Sequence, residues 1–243
     1  MPVATDVHHK IAELARQMHA VPESTQDSTG QVMGSITAGA VEYVPGAQYA
    51  GVLLVDQKKN FDTLAPTDSL MITADQIQKE TGEGPCLLAA WDHHTVLVND
   101  IRTDERFPAF SARVIDETPL RSSLSFKLFT DKGTIGALNL FSEETDVFGD
   151  ESLEVGLLFA THAALALRAA RQQQHFQSAL ASRDVIGQAK GMIMYRFRID
   201  AVAAFALLRR LSQDTNTPLA KVAEQLIERE LSESGEAGTE SMS

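Results

Sequence analysis

No proline or glycine interrupts the thirty residues from Leu157 to Ile186, and the helical pattern around them runs from about Asp150 to Phe197. A helix of that length spans roughly 70 Å at the α-helical rise, longer than a helix packed wholly within one small domain requires. Its first third repeats Leu153, Leu157, Ala160, Ala164 and Leu167 at alternating four- and three-residue spacing, which predicts a coiled-coil dimerisation seam. The polar stretch Arg171 to His175 contains no breaker and is expected to be a solvated connecting helix. The chain is therefore expected to have two parts, joined by helix.

Charge divides the chain at the same place. Residues 183–231 carry eight Lys and Arg against six Asp and Glu, whereas residues 1–182 carry thirteen against twenty-four. The overall charge of −12 opposes nonspecific capture by nucleic acids or acidic membranes, so any polyanion must be bound locally, by the C-terminal segment. The nearly apolar stretch Val155 to Leu167 is shorter than a membrane span of about 20 residues. The N-terminus lacks the apolar core of a signal peptide, which leads us to expect a cytoplasmic protein with no membrane partner. The single cysteine, Cys86, rules out an internal disulfide framework.

Residues 1–168 read as an α+β domain. Helices are predicted over Asp6 to Met18 and then up to about Tyr43, the latter with Val32, Ile36, Ala40 and Val41 inward. Strands follow at Gln48 to Asp56 and Asp62 to Ala65. Thr81 to Pro85 turns into a short helix ending near Trp91, before a strand at Thr95 to Val98 and a helix over Phe107 to Thr118. Ser122 to Thr130 and Thr134 to Ser142 alternate in polarity around Asp131, Lys132 and Gly133, the mark of a β-hairpin. The expected fold is an antiparallel sheet flanked by helices, followed by the helical connector 169–182, a three-helix bundle over 183–231 and a disordered tail over 232–243.

In the bundle, Asp200 is the expected N-cap of a helix over Ala201 to Gln213. Thr217 with Pro218 should cap and open the last helix. The expected core is Ile186, Ile193, Phe205, Leu208, Leu211, Leu219, Val222 and Leu226. Arg183, Lys190, Arg196, Arg198, Arg209, Arg210 and Lys221 recur at helical spacing, and Arg183 and Lys190 share a face two turns apart. Gly191 within a helix costs about 1 kcal/mol relative to alanine, so packing or close approach must require it.

The blocks SRDVIGQAKGMIM, AFALLRRLS and PLAKVAEQLIE, with Ala189, Lys190, Gly191 and Met194 as the most distinctive positions, resemble the ANTAR domain of bacterial antitermination regulators. Tyr195 departs from the family, which often carries a charge there. The segments GEGPC (Gly82 to Cys86), VLVNDIRTDERFPAF (Val96 to Phe110) and IGALNLFS (Ile135 to Ser142) resemble GAF domains. These resemblances imply a sensor domain preceding an RNA-binding one. They also imply a homodimer that binds a dual-hairpin leader RNA and prevents termination, and a small-molecule effector in the GAF pocket whose identity is unknown.

On this reading Arg183, Lys190, Arg196, Arg209, Arg210 and Lys221 contact phosphates, Gly191 allows close approach, and Gln188 and Tyr195 read bases. The alternative is a GAF signalling module whose terminal bundle docks a protein. An enzyme is not expected: no G-x-S-x-G, H-E-x-x-H or G-x-G-x-x-G motif occurs. His93 and His94 lack companion ligands, and Cys86 reads as a small buried residue ahead of a redox sensor or chromophore anchor.

Overall fold

The computed structural model describes residues 28–55, 60–91, 95–128 and 135–240, which form two compact units divided between Ala170 and Arg171. The expected helix over Asp6 to Met18, the His93–His94 pair and the hairpin turn at Asp131 to Gly133 lie outside the described residues.

In the first unit, α1 (Ser28–Tyr43) precedes β1 (Tyr49–Val55), β2 (Phe61–Leu64), α2 (Ser69–Thr81), α3 (Pro85–Trp91), β3 (Thr95–Val98), α4 (Pro108–Glu117), β4 (Ser122–Leu128) and β5 (Ile135–Ser142). The five strands form an antiparallel sheet in the order β2-β1-β5-β4-β3. Side chains alternate between its faces, as strand geometry requires. On one face Val52, Leu124, Phe126, Leu138 and Leu140 pack against Met33, Ile36 and Ala40 of α1 and against α5 (Asp150–Phe197). On the other, Leu53, Val96, Val98, Ala137 and Phe141 pack under α2, α3 and α4. The two apolar layers account for the mostly apolar strands.

The sequence pattern missed α2. Its ends are well marked: the Asp68 carboxylate accepts from Leu70 N–H at 2.8 Å, and Gly82, at φ 73°, ends the helix by donating to the Gln78 carbonyl at 2.9 Å. Apolar periodicity fails there because the buried face carries Asp75 and Gln78 beside Met71, Ala74 and Ile77.

The dimerisation seam is corrected. Ala160 and Leu167 are buried in the core between α5 and the sheet, Leu153 and Ala164 are half-buried against it, and of the five only Leu157 is exposed. Phe159, Ala163 and Ala166 complete the inward face, so the four-three spacing is that of a helix lying on a sheet. By length and composition alone α5 could cross a membrane, with an 18-residue window of mean hydropathy 1.4. The sheet-facing core explains that apolar content without one.

In the second unit α5 continues through Phe197, followed by α6 (Ala201–Asp214) and α7 (Leu219–Glu240). Residues 172–181 are all exposed, as a solvated connector should be. Asp200 caps α6, accepting from Val202 and Ala203 N–H at 3.0 and 2.8 Å. At the start of α7 the Pro218 carbonyl is the first acceptor, from Val222 N–H at 3.1 Å. The Thr217 hydroxyl donates to the Thr215 carbonyl instead of capping, so the helix opens one residue later than expected. The backbone stays helical to Glu240, beyond the expected end at Leu231.

Candidate nucleic-acid interface

The three helices of the second unit meet through small residues. Ala189, Ile193, Ala204, Leu208, Val222 and Ala223 form the buried core, with Ile186, Met194, Leu219 and Leu226 packed around it. Alanines at the contacts let the helices approach closely, which turns bulkier neighbours outward. Phe205 and Leu211, expected inside, are 42% and 46% exposed.

Six of the eight basic residues of 183–231 divide by whether they are paired. Arg196 pairs with Glu230 on α7 at 2.6 Å, and Arg210 sits 3.8 Å from Asp214 on its own helix. Arg183, Lys190, Arg209 and Lys221 form no ion pair among the described residues, and they are spread over α5, α6 and α7. Lys190 is half-buried and the other three are exposed. A lysine in that position lays its aliphatic stem along the core and leaves its ammonium in water.

Gly191 lacks the packing reason its position in a helix suggested. A Cβ there would meet nothing within 4 Å, and the same holds at Gly187, one turn earlier. Gln188 is exposed on the same side of α5, and Tyr195 is 88% exposed. Four positions facing away from the bundle core thus offer bare backbone, an amide and an aromatic ring. Arg198, at φ 56°, closes α5 in the left-handed conformation, a feature no sequence signal announced.

In the sensor unit, the GEGPC segment organises a buried polar chain. Gly84 takes φ 145° with the Gln78 side chain so close that a Cβ would collide with it. Held there, Gln78 donates to Asp75 Oδ1 at 3.3 Å and Cys86 Sγ at 2.9 Å, and its Oε1 accepts from Cys86 N–H at 3.0 Å. Thr63 donates to Asp75 Oδ2 at 2.8 Å, and Ser125 Oγ lies 3.7 Å from Cys86 Sγ. Burial pushes the Asp75 carboxyl up to about 7, partly offset by the Thr63 hydrogen bond. Burial and the nearby Asp75 raise the Cys86 thiol, which is wholly inaccessible; this fits a structural residue and no reactive thiolate.

Beside this chain, both side-chain ends of Asn139 and the hydroxyl of Ser123 are fully buried without a hydrogen-bond partner. Each unpaired buried group costs about 1–3 kcal/mol. Among the described residues, no group of three or more His, Cys, Asp and Glu is arranged to hold a metal. The Trp91 side chain lies outside the description.

The family model of the GAF domain matches residues 26–168 and that of the ANTAR domain residues 174–227. Three solved structures show the fold of the first unit. The GAF domain of a phosphoenolpyruvate-protein phosphotransferase from Coxiella burnetii is 16% identical, with a TM-score of 0.53, covering 71% of this chain and 98% of its own. A domain of a two-component sensor histidine kinase protein from Sinorhizobium meliloti 1021 is 15% identical, with a TM-score of 0.50, over 63% of this chain and 99% of its own. The GAF3 domain of a Synechocystis protein, in its photoproduct state, is 11% identical with a TM-score of 0.50, over 61% and 99%. No curated protein is significantly similar to the chain. With a GAF domain followed by an ANTAR domain, the chain belongs to the GAF–ANTAR regulators, which join a sensor module to an RNA-binding module of transcription antitermination.

Proposed function

We propose that two copies of the ANTAR unit bind the two hairpins of a leader RNA and so prevent a terminator from forming, under the control of a signal received by the GAF domain. The observation that supports this most is that Arg183, Lys190, Arg209 and Lys221 form no ion pair among the described residues. They lie on three helices of the basic unit in an otherwise acidic chain. Such cations supply phosphate contacts, and the exposed Tyr195 ring and Gln188 amide suit unstacked loop bases. Arg196 and Arg210, already paired, contribute less. The protein acts in the cytoplasm, where transcripts are made, and catalyses no reaction.

The test is binding of the full chain to a dual-hairpin leader RNA and to a scrambled control at two salt concentrations. Tight, loop-dependent binding is expected. The pair Arg183→Ala and Lys190→Ala should weaken it at least tenfold and lower the salt slope by about 2. Equal affinity for both RNAs would overturn the reading in favour of a protein partner. That second reading draws on Val202, Phe205, Leu207 and Leu211, large apolar side chains that α6 leaves exposed.

A further inference from the structure

We propose that α7 restrains the RNA surface of its own unit: the Glu230 carboxylate holds Arg196 in place of an RNA phosphate, and RNA gains Arg196 as a contact only by displacing that carboxylate. The inference rests on the RNA-binding function above and names a regulation of the same surface.

The pair joins two helices. Arg196, in the last turn of α5, donates from Nη1 to Oε2 of Glu230 on α7 at 2.6 Å, across 34 residues of sequence. Arg210 and Asp214, by contrast, lie on one helix, four residues apart. For a guanidinium, carboxylate and phosphate oxygens are equivalent partners, each accepting charge-assisted hydrogen bonds. Both side chains remain reachable from solvent, 54% and 39% exposed, and an ion pair so placed contributes little stability and yields to a competing anion. Arg196 stands about 9 Å further along α5 than Lys190 and about a third of a turn round. Once released, its long side chain comes within reach of a strand held at Lys190.

Charge along α7 makes Glu230 part of a larger restraint. The ANTAR match ends at residue 227, and the α7 backbone continues as helix to Glu240. Residues 183–227 carry seven Lys and Arg against four Asp and Glu, whereas residues 228–240 carry five Glu against Arg229 alone. Helix stability does not explain acid at that end, because a helix C-terminus carries partial negative charge and favours Lys and Arg. An acidic extension behind a basic module opposes polyanions in general. A phosphate contact carries no sequence information, so keeping Arg196 paired weakens binding to every RNA alike and leaves discrimination to the groups that read bases.

The test measures binding of the full chain and its variants to the dual-hairpin leader RNA and the scrambled control across a salt series, with the unfolding temperature of each variant. Glu230→Gln should bind both RNAs about three- to fivefold more tightly, with a salt slope steeper by about 1, as one added phosphate contact requires. Arg196→Ala in the Glu230→Gln background should remove the gain and the added slope together. Glu224→Gln, which removes an exposed charge from the same helix, controls for charge alone and should shift affinity by less than about twofold. If Glu230→Gln lowers the unfolding temperature, Glu230→Asp carries the comparison, since it keeps the charge and draws the carboxylate back from Arg196 by one methylene. Unchanged affinity and slope in Glu230→Gln, or a gain that survives Arg196→Ala, overturns the restraint and leaves the pair as a fastening between α5 and α7. Leader preference without a gain in Glu230→Gln removes the restraint alone; an Arg196-dependent gain without leader preference removes the dual-hairpin reading alone. No RNA binding by any variant removes both.

Discussion

Asp75 gives the sensor unit a pH dependence of definite sign. Its carboxyl has an ordinary value of 3.8 in the unfolded chain and is raised to about 7 by burial in the folded one. The folded state then holds the proton more tightly, so the stabilisation is complete below about pH 4 and is lost as the pH rises towards 7. The loss amounts to a few kcal/mol. Asp75→Asn keeps an acceptor for Thr63 but cannot ionise. Its unfolding temperature should match that of the wild type near pH 4 and exceed it at pH 8; parallel curves across this range would show that Asp75 is ionised in the fold. Residues of this kind escape sequence reading. Asp75, Gln78 and Ser123 belong to no motif, and Asn139 carries no signal of its own within the IGALNLFS segment; their roles come from burial among apolar neighbours. The cations were legible as a set, but only the folded helices pair Arg196 with Glu230 and leave Lys190 unpaired.

Among the elements, α5 separates what periodicity can and cannot reveal. Its middle, Leu157 to Ile186, follows from the absence of breakers, and the periodic pattern carries it across Gly156, Gly187 and Gly191 to the full extent Asp150–Phe197. Its buried face does not, because a helix on a sheet and a helix in a coiled coil repeat apolar residues at nearly the same spacing. The glycines of the same helix carry a further test. With nothing within 4 Å of a Cβ at Gly187 or Gly191, alanine at either should stabilise the helix by about 1 kcal/mol. If RNA approaches the bare backbone there, Gly187→Ala with Gly191→Ala should raise Tm while weakening RNA binding at least tenfold. Unchanged affinity would remove Gly191 from the interface. α2 shows the opposite case, where both caps were readable but the polar residues on its buried face hid the helix.

For the whole molecule, the proposed pairing of two copies is testable on the exposed side of α5. Leu158 and Leu165 are 37% and 51% exposed, seven residues apart on the side away from the sheet, and Phe176 and Leu180 are exposed further along. Leu158→Glu with Leu165→Glu should yield a monomer by light scattering, with RNA affinity lowered because two modules no longer act together. Ala164→Glu should instead destabilise the sensor core against which Ala164 packs. A dimer that survives the Leu158 and Leu165 changes would move the pairing surface elsewhere. The sequence by itself determined the two-part organisation, the strand order of appearance, the segregation of charge and the family of each part. These depend on local signals: breakers, alternation, caps and contiguous motifs. Tertiary structure alone decided which apolar residues are core and which are surface, which cations are neutralised, and that an unpaired asparagine lies opposite a glycine beneath α2. Each of those depends on residues far apart in the chain being brought together, as when the register of β1 against β5 sets Gly51 beside Asn139.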